Sequence, residues 1–142
     1  MKKIVVFFCF GILLLFIISC KKETRVVSIS IEGSWELRQT NGMLSITYPP
    51  GNGHIIKFNS GNYERSLNGQ ITQSGRYRIV QDTTVSSATC LVIPAGQYTH
   101  RIIYDNNMAS EKVFIEFSAN KLTFLSGCFA YDAGSFADYA RQ

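Results

Sequence analysis

The chain holds two histidines, His54 and His100, and four cysteines, Cys9, Cys20, Cys90 and Cys128. These residue types most often carry catalysis or a metal, and their spacing decides whether they can. A catalytic histidine needs an orienting acid or a nucleophile in reach. Neither histidine has an acidic neighbour in the chain, and no Gly-X-Ser-X-Gly elbow offers a serine. Cys90 and Cys128 without a nearby histidine pair make a poor zinc site. Glu32, Glu36, Glu64 and Glu116 could pair in space as glycosidase carboxylates, but the spacing gives no reason to bring two together. Asp105-Asn106-Asn107 lacks the spaced acids and closing Glu of a calcium loop, and reads as a turn. Gly51-Asn52-Gly53 has no following Lys-Ser/Thr to complete a phosphate loop. We therefore expect no enzyme, no cofactor and no metal.

The N-terminus carries more information. Met1-Lys2-Lys3 opens the chain, and Ile4 to Ile18 is an unbroken apolar or small run ending in Ser19-Cys20. The run is 15 residues, against roughly 20 for a spanning helix. A positive start and a short apolar segment mark a signal peptide. Ile17-Ile18-Ser19-Cys20 resembles the lipobox of bacterial lipoproteins. The resemblance implies cleavage before Cys20 and lipid, including palmitate, on its thiol and amine. An uncleaved N-terminal anchor is the alternative. Residues 1–19 are then the leader, 20–30 a tether and 31–142 the folded domain. Several acyl chains anchor stably where one does not. Lys21 rather than Asp follows Cys20, so the familiar inner-membrane retention signal is lacking and the outer membrane is expected. Cys9 leaves with the leader and Cys20 is taken by lipid. Cys90 and Cys128 are left as an even pair in an exported protein, where disulfides persist. Two separate buried thiols are the alternative.

Losing Lys2 and Lys3 takes Lys+Arg from 14 to 12, against 10 Asp+Glu. From Glu32 onward the counts are 9 and 9. The basic pI of 8.9 thus belongs largely to leader and tether, and gives no reason to expect a nucleic-acid partner.

These residues must be positioned by a β fold. No helical period of useful length follows the tether. Short β-rich stretches alternate with turn residues: Ile31–Gln39, His54–Asn59, Tyr63–Leu67, Gln70–Val80, Thr89–Ile93, His100–Tyr104, Lys112–Ser118 and Lys121–Leu125. Phe136–Arg141 would extend or cap the sheet. Asn68-Gly69 is a strong hairpin signal. Alternation puts Ile56 and Phe58 on one face, Ile71, Tyr77 and Ile79 on one face, then Val113, Ile115 and Phe117, then Leu122 and Phe124. Phe114 and Thr123 fall on the opposite, polar side. One apolar and one polar face is antiparallel behaviour, and about eight hairpin-linked strands close most simply as an up-and-down barrel.

Gly33-Ser34-Trp35 at the first strand resembles the opening signature of lipocalins. Behind the lipobox stand Tyr48-Pro49-Pro50-Gly51-Asn52-Gly53, Ser74-Gly75-Arg76-Tyr77-Arg78-Ile79, Asn120-Lys121-Leu122-Thr123 and Ser126-Gly127-Cys128-Phe129. In this order they resemble the lipocalin-like domain of small Gram-negative lipoproteins, over roughly residues 31–141. The resemblance implies an all-β barrel of the calycin type. It also implies that Trp35 plugs the closed end beneath a basic residue, for which Arg141 is the candidate. No helix follows the barrel and the other lipocalin motifs are absent, so it brings little function with it.

Ile56, Phe58, Tyr63, Tyr77, Ile79, Val113, Ile115, Phe117, Leu122 and Phe124 would face inward. A barrel of eight strands is just wide enough to be packed or to hold one small ligand. The first reading is therefore a lipid-anchored monomer holding a small apolar molecule against these walls. The second is a solid barrel working through its loops as an inhibitor or accessory subunit of an envelope complex, with Tyr48, Phe129 and Tyr131 as the first contact residues.

Overall fold

In the computed structural model, which describes residues 30–142, nine strands form one antiparallel sheet that closes on itself. The leader, Cys20 and most of the tether lie outside the described residues. The strands are β1 (Gly33–Asn41), β2 (Ser45–Thr47), β3 (His54–Asn59), β4 (Asn62–Leu67), β5 (Gln70–Gln81), β6 (His100–Tyr104), β7 (Val113–Phe117), β8 (Lys121–Ser126) and β9 (Ser135–Arg141). Pairing of β9 with β1, from Trp35–Arg141 to Asn41–Phe136, shuts the barrel. Closure satisfies the edge groups that an open sheet would expose. The extra strand, β2, shares one edge of β1 with β3: β3 pairs with Gly33–Glu36 and β2 with Gln39–Asn41.

The turns follow local chemistry. Asn68 and Gly69 have φ of 52° and 81°, the left-handed pair that a two-residue hairpin needs to match strand twist. Asp105 and Asn106 turn with φ of 50° and 56°. The Asp105 carboxylate accepts from the Arg76 amide at 2.8 Å and the Tyr63 hydroxyl at 3.3 Å, so this acid serves the turn.

Three expectations need correction. Thr89–Ile93 is not a strand. A short helix, α1 (Val85–Thr89), ends at Cys90 in the left-handed region, and the chain runs irregularly to His100. Thr and Val suit strands by composition, but the spacing of Val85 and Thr89 buries both on one side of a helical turn. The eighth barrel strand is instead β9, the stretch expected only to extend or cap the sheet. Second, Ile71 is 62% exposed. Arg65 pairs with Gln73 and Ser66 with Ile71, leaving Thr72 as an extra residue. One inserted residue reverses which face the strand presents beyond it. Third, Phe114 and Thr123 are buried although both point out of the barrel.

The third correction has a tertiary cause. The segment between β5 and β6 climbs the outside of β7 and β8. Val85, Ala88, Leu91, Ile93 and Tyr98 from it, with Phe129 and Phe136, cover Phe114 and Leu125 in a second apolar cluster. The Cys90–Cys128 disulfide pins it there, with Cα atoms 5.0 Å apart. At its base, Asp82 faces Lys112 at 3.0 Å and Arg101 at 3.2 Å. Burial opposes the charge on Asp82. The Thr84 hydroxyl and amide and the Lys112 ammonium outweigh that, and hold its pKa at about 2.

Candidate functional site

The two ends of the barrel differ in construction. At the closed end Trp35 is fully buried, and its indole N–H donates to the Ile31 carbonyl at 2.7 Å. The Arg141 guanidinium stands 4.2 Å from the centre of the indole ring. It also donates to the carbonyls of Glu32 at 2.9 Å and Ala119 at 2.7 Å. Strand pairing positions both residues, since Trp35 and Arg141 are opposite each other in β1 and β9. Gly33 has φ of 123°, and a Cβ there would come within 2.5 Å of Arg141 Nη1. The positive φ at Gly33 thus favours glycine, and the guanidinium lid packs closely over it.

Above this lid the inward residues fill the barrel. Ile56, Phe58, Tyr63, Ile115, Leu122 and Phe124 are buried and join Trp35, Leu37 and Ile102 in one cluster. Tyr77, Ile79, Val113 and Phe117 pack against it, partly buried. Aromatic edges interlock, with Phe58 and Tyr77 ring centres 4.7 Å apart and Phe124 and Tyr139 5.4 Å apart. The side chains expected to line a pocket make contact with one another.

Space appears at the other end. A cavity of about 210 Å³ opens at the mouth, where β1, β3, β4, β5 and β9 meet. Leu37, Ile56, Leu67 and Tyr139 give it apolar walls, and His54 and Arg65 are its charged or ionisable members. Ile56 is the single residue of the expected pocket set in this wall. A larger depression of about 340 Å³ lies outside the barrel beside Tyr98. Its charges are already engaged: Lys121 pairs with Asp138 at 2.9 Å, and Glu116 accepts from the Tyr98 amide at 2.7 Å. Its volume therefore says less about recognition than the smaller cavity does.

Arg65 is the residue that sequence reasoning passed over. It reaches into the barrel from β4, two residues after Tyr63 and on the same face. The signal was present: alternation that turns Tyr63 inward turns Arg65 inward as well. Its Nη2 donates to the Tyr104 hydroxyl at 3.4 Å, and its guanidinium carbon stands 5.6 Å from that ring's centre. Its Nε is buried without a hydrogen-bond partner. Burial pushes the Tyr104 hydroxyl up to about 12 against the pull of Arg65, so at neutral pH the phenol carries no balancing charge. Arg65 as a whole is half-buried; Arg101, which is buried, also has an Nε without hydrogen-bond alignment, but Asp82 lies beside it. Among the described residues, no carboxylate pairs with Arg65.

The loop aromatics divide. Tyr48 packs on the core and stands 5.3 Å from the His54 ring, and Phe129 joins the outer cluster. Tyr131 is 81% exposed. Met43, Leu44 and Ile46 in the β1–β2 hairpin and Ile71 in β5 are exposed apolar residues at the same open end. Among the described residues, no group of three His, Cys, Asp or Glu is placed to hold a metal ion. No family model, no curated protein and no solved structure matches the chain.

Proposed function

We propose that the protein is a lipid-anchored lipoprotein of the outer membrane, of lipocalin-like kind, whose barrel binds a small apolar molecule at its open end. The cavity at the mouth carries this reading. It opens at the rim of the barrel beside Leu67, with the buried side chains of Leu37 and Ile56 beneath; a second cavity of about 320 Å³ opens at the same end beside Ile102, Tyr104 and Val113. An apolar chain burying roughly 200 Å² there would gain about 5 kcal/mol before association costs, which places the affinity in the millimolar range or weaker. The full chain in phospholipid nanodiscs, titrated calorimetrically with 1-octanol against empty nanodiscs, should show saturable heat in that range. Thr72→Trp, at the bulge on the cavity rim, should weaken it about tenfold or more by occupying the space. Absence of saturable heat from the parent protein rejects the carrier reading.

The second reading, a solid barrel acting through loops, draws on the filled interior and on exposed Met43, Leu44, Ile46 and Tyr131. An inert cavity in the same titration leaves that surface as the working face. The anchor itself rests on the lipobox at Cys20. Cys20→Ala should move the protein to the soluble fraction or leave it as an unprocessed precursor. Normal processing with full membrane retention would reject the lipobox.

A further inference from the structure

We propose that the open end of the barrel rests on a lipid bilayer, with the tips of the β1–β2 and β4–β5 hairpins in its headgroup–acyl boundary. The inference rests on the membrane attachment proposed above and not on the mouth cavity.

Strand direction fixes which connections share an end. With β1 running away from the plugged end, the β1–β2, β4–β5, β6–β7 and β8–β9 connections all leave the open one. Among the described residues, the exposed large hydrophobic side chains gather there. Met43 is 87% exposed and Leu44 76%, and Ile46 follows them in β2. Leu67 and Ile71 flank the Asn68-Gly69 turn. Met108 and Tyr131 stand in the β6–β7 and β8–β9 connections. Val92 is two residues from Cys90, which is bonded to Cys128 in the β8–β9 connection. The turns of the plugged end, Ser60-Gly61 and Ala119-Asn120, expose no large apolar side chain. Single exposed hydrophobics need no explanation, but their collection at one end marks an interaction surface.

Charge decides what that surface meets. No Asp, Glu, Lys or Arg occurs from Gln39 to Ile56 or from Ser66 to Gly75. The charged residues that bound both stretches are cations, Arg38 and Lys57, then Arg65 and Arg76. A protein interface takes its register from charges and its energy from aromatic and arginine anchors. These tips offer Met, Leu and Ile, and the one aromatic of the two stretches, Tyr48, packs on the core. Aliphatic tips without carboxylates, with cations as the next charges, suit the boundary between acyl chains and phosphate head groups. Under either reading of Ile4 to Cys20, lipidated cysteine or uncleaved anchor, the N-terminus is held at a bilayer. The eleven residues from Cys20 to Ile31 can span at most roughly 40 Å, whereas β1, with nine residues, rises about 30 Å. That reach is enough for the open end to touch the bilayer that holds the anchor.

Trp35 is the single tryptophan of the chain and lies buried at the plugged end, so an added indole can be read against it. The full-length protein is placed in phosphatidylcholine nanodiscs made with ordinary or acyl-brominated lipid. Leu44→Trp and Ile71→Trp put an indole on each tip, and Asn120→Trp puts one at the opposite end. All three positions are exposed, and the emission of buried Trp35 reports whether each variant is folded. Brominated lipid should lower the added emission of both tip variants roughly twofold or more and leave the parent and Asn120→Trp unchanged, because bromine on the acyl chains quenches only an indole that reaches their boundary. Tip variants quenched no more than Asn120→Trp overturn the inference and leave the membrane attachment standing, with the tips free for a protein partner. A parent chain absent from the nanodisc fraction removes the attachment and this inference together.

Discussion

Trp35→Ala should lower the unfolding free energy by about 3–5 kcal/mol, the usual cost of deleting a large buried aromatic. Three separate losses converge at this position. The indole is fully buried among Ile31, Leu37 and Ile56, so truncation opens a cavity that the closed end of a barrel cannot collapse. The Ile31 carbonyl loses its donor at 2.7 Å. The Arg141 guanidinium loses the ring beneath it at 4.2 Å. Arg141→Ala removes only the last contact and its two carbonyl bonds, and should cost nearer ~1–2 kcal/mol. Denaturant titration of both variants against the parent checks the order. A loss under about 1 kcal/mol for Trp35→Ala, or a larger loss for Arg141→Ala, would contradict the plugged end.

Replacing Cys90 and Cys128 together with Ser should cost about 4 kcal/mol on the loop-entropy model, given the separation of 38 residues that the bond closes. The effect should also be local. The bond holds the 82–99 segment over Phe114 and Leu125, and the other ties at its base are the Asp82 contacts and the packing of α1. Without the bond, amides from Val85 to Tyr98 should exchange faster with solvent than those of the β1–β9 ladder. Hydrogen exchange followed by mass spectrometry reads this directly. Uniform acceleration over the whole chain would show instead that the bond stabilises the barrel itself and not the segment that covers it.

Much of this architecture was legible in the sequence. Alternation in His54–Asn59 gave that strand its observed bounds, because it buries one face; His100–Tyr104 was bounded by the turn residues beside it, although it buries residues on both faces. Asn68-Gly69 and Asp105-Asn106 announced their turns, since few other residues tolerate the backbone they adopt. Gly33-Ser34-Trp35 and Arg141 pointed to a closed end where a guanidinium covers the indole. The even pair Cys90 and Cys128 became a bond, as their number and the expected export suggested. What the sequence could not decide concerns relations between segments distant in the chain. Thr89–Ile93 has strand composition, yet it lies where an outer face needs covering, and burial there overrides propensity. Phe114 and Leu125 point out of the barrel and are still buried, because a crossing segment arrives to cover them. Ile71 lost its inward place to a single unpaired Thr72, a matter of register that pattern along one strand does not contain. The inward aromatics were identifiable one by one, but whether they line a space or fill it depends on how their rings interlock across the barrel. Arg65 shares a face with Tyr63 by alternation alone. That it is left there without an acid is a property of the closed barrel, since only closure determines which side chains share the interior with it.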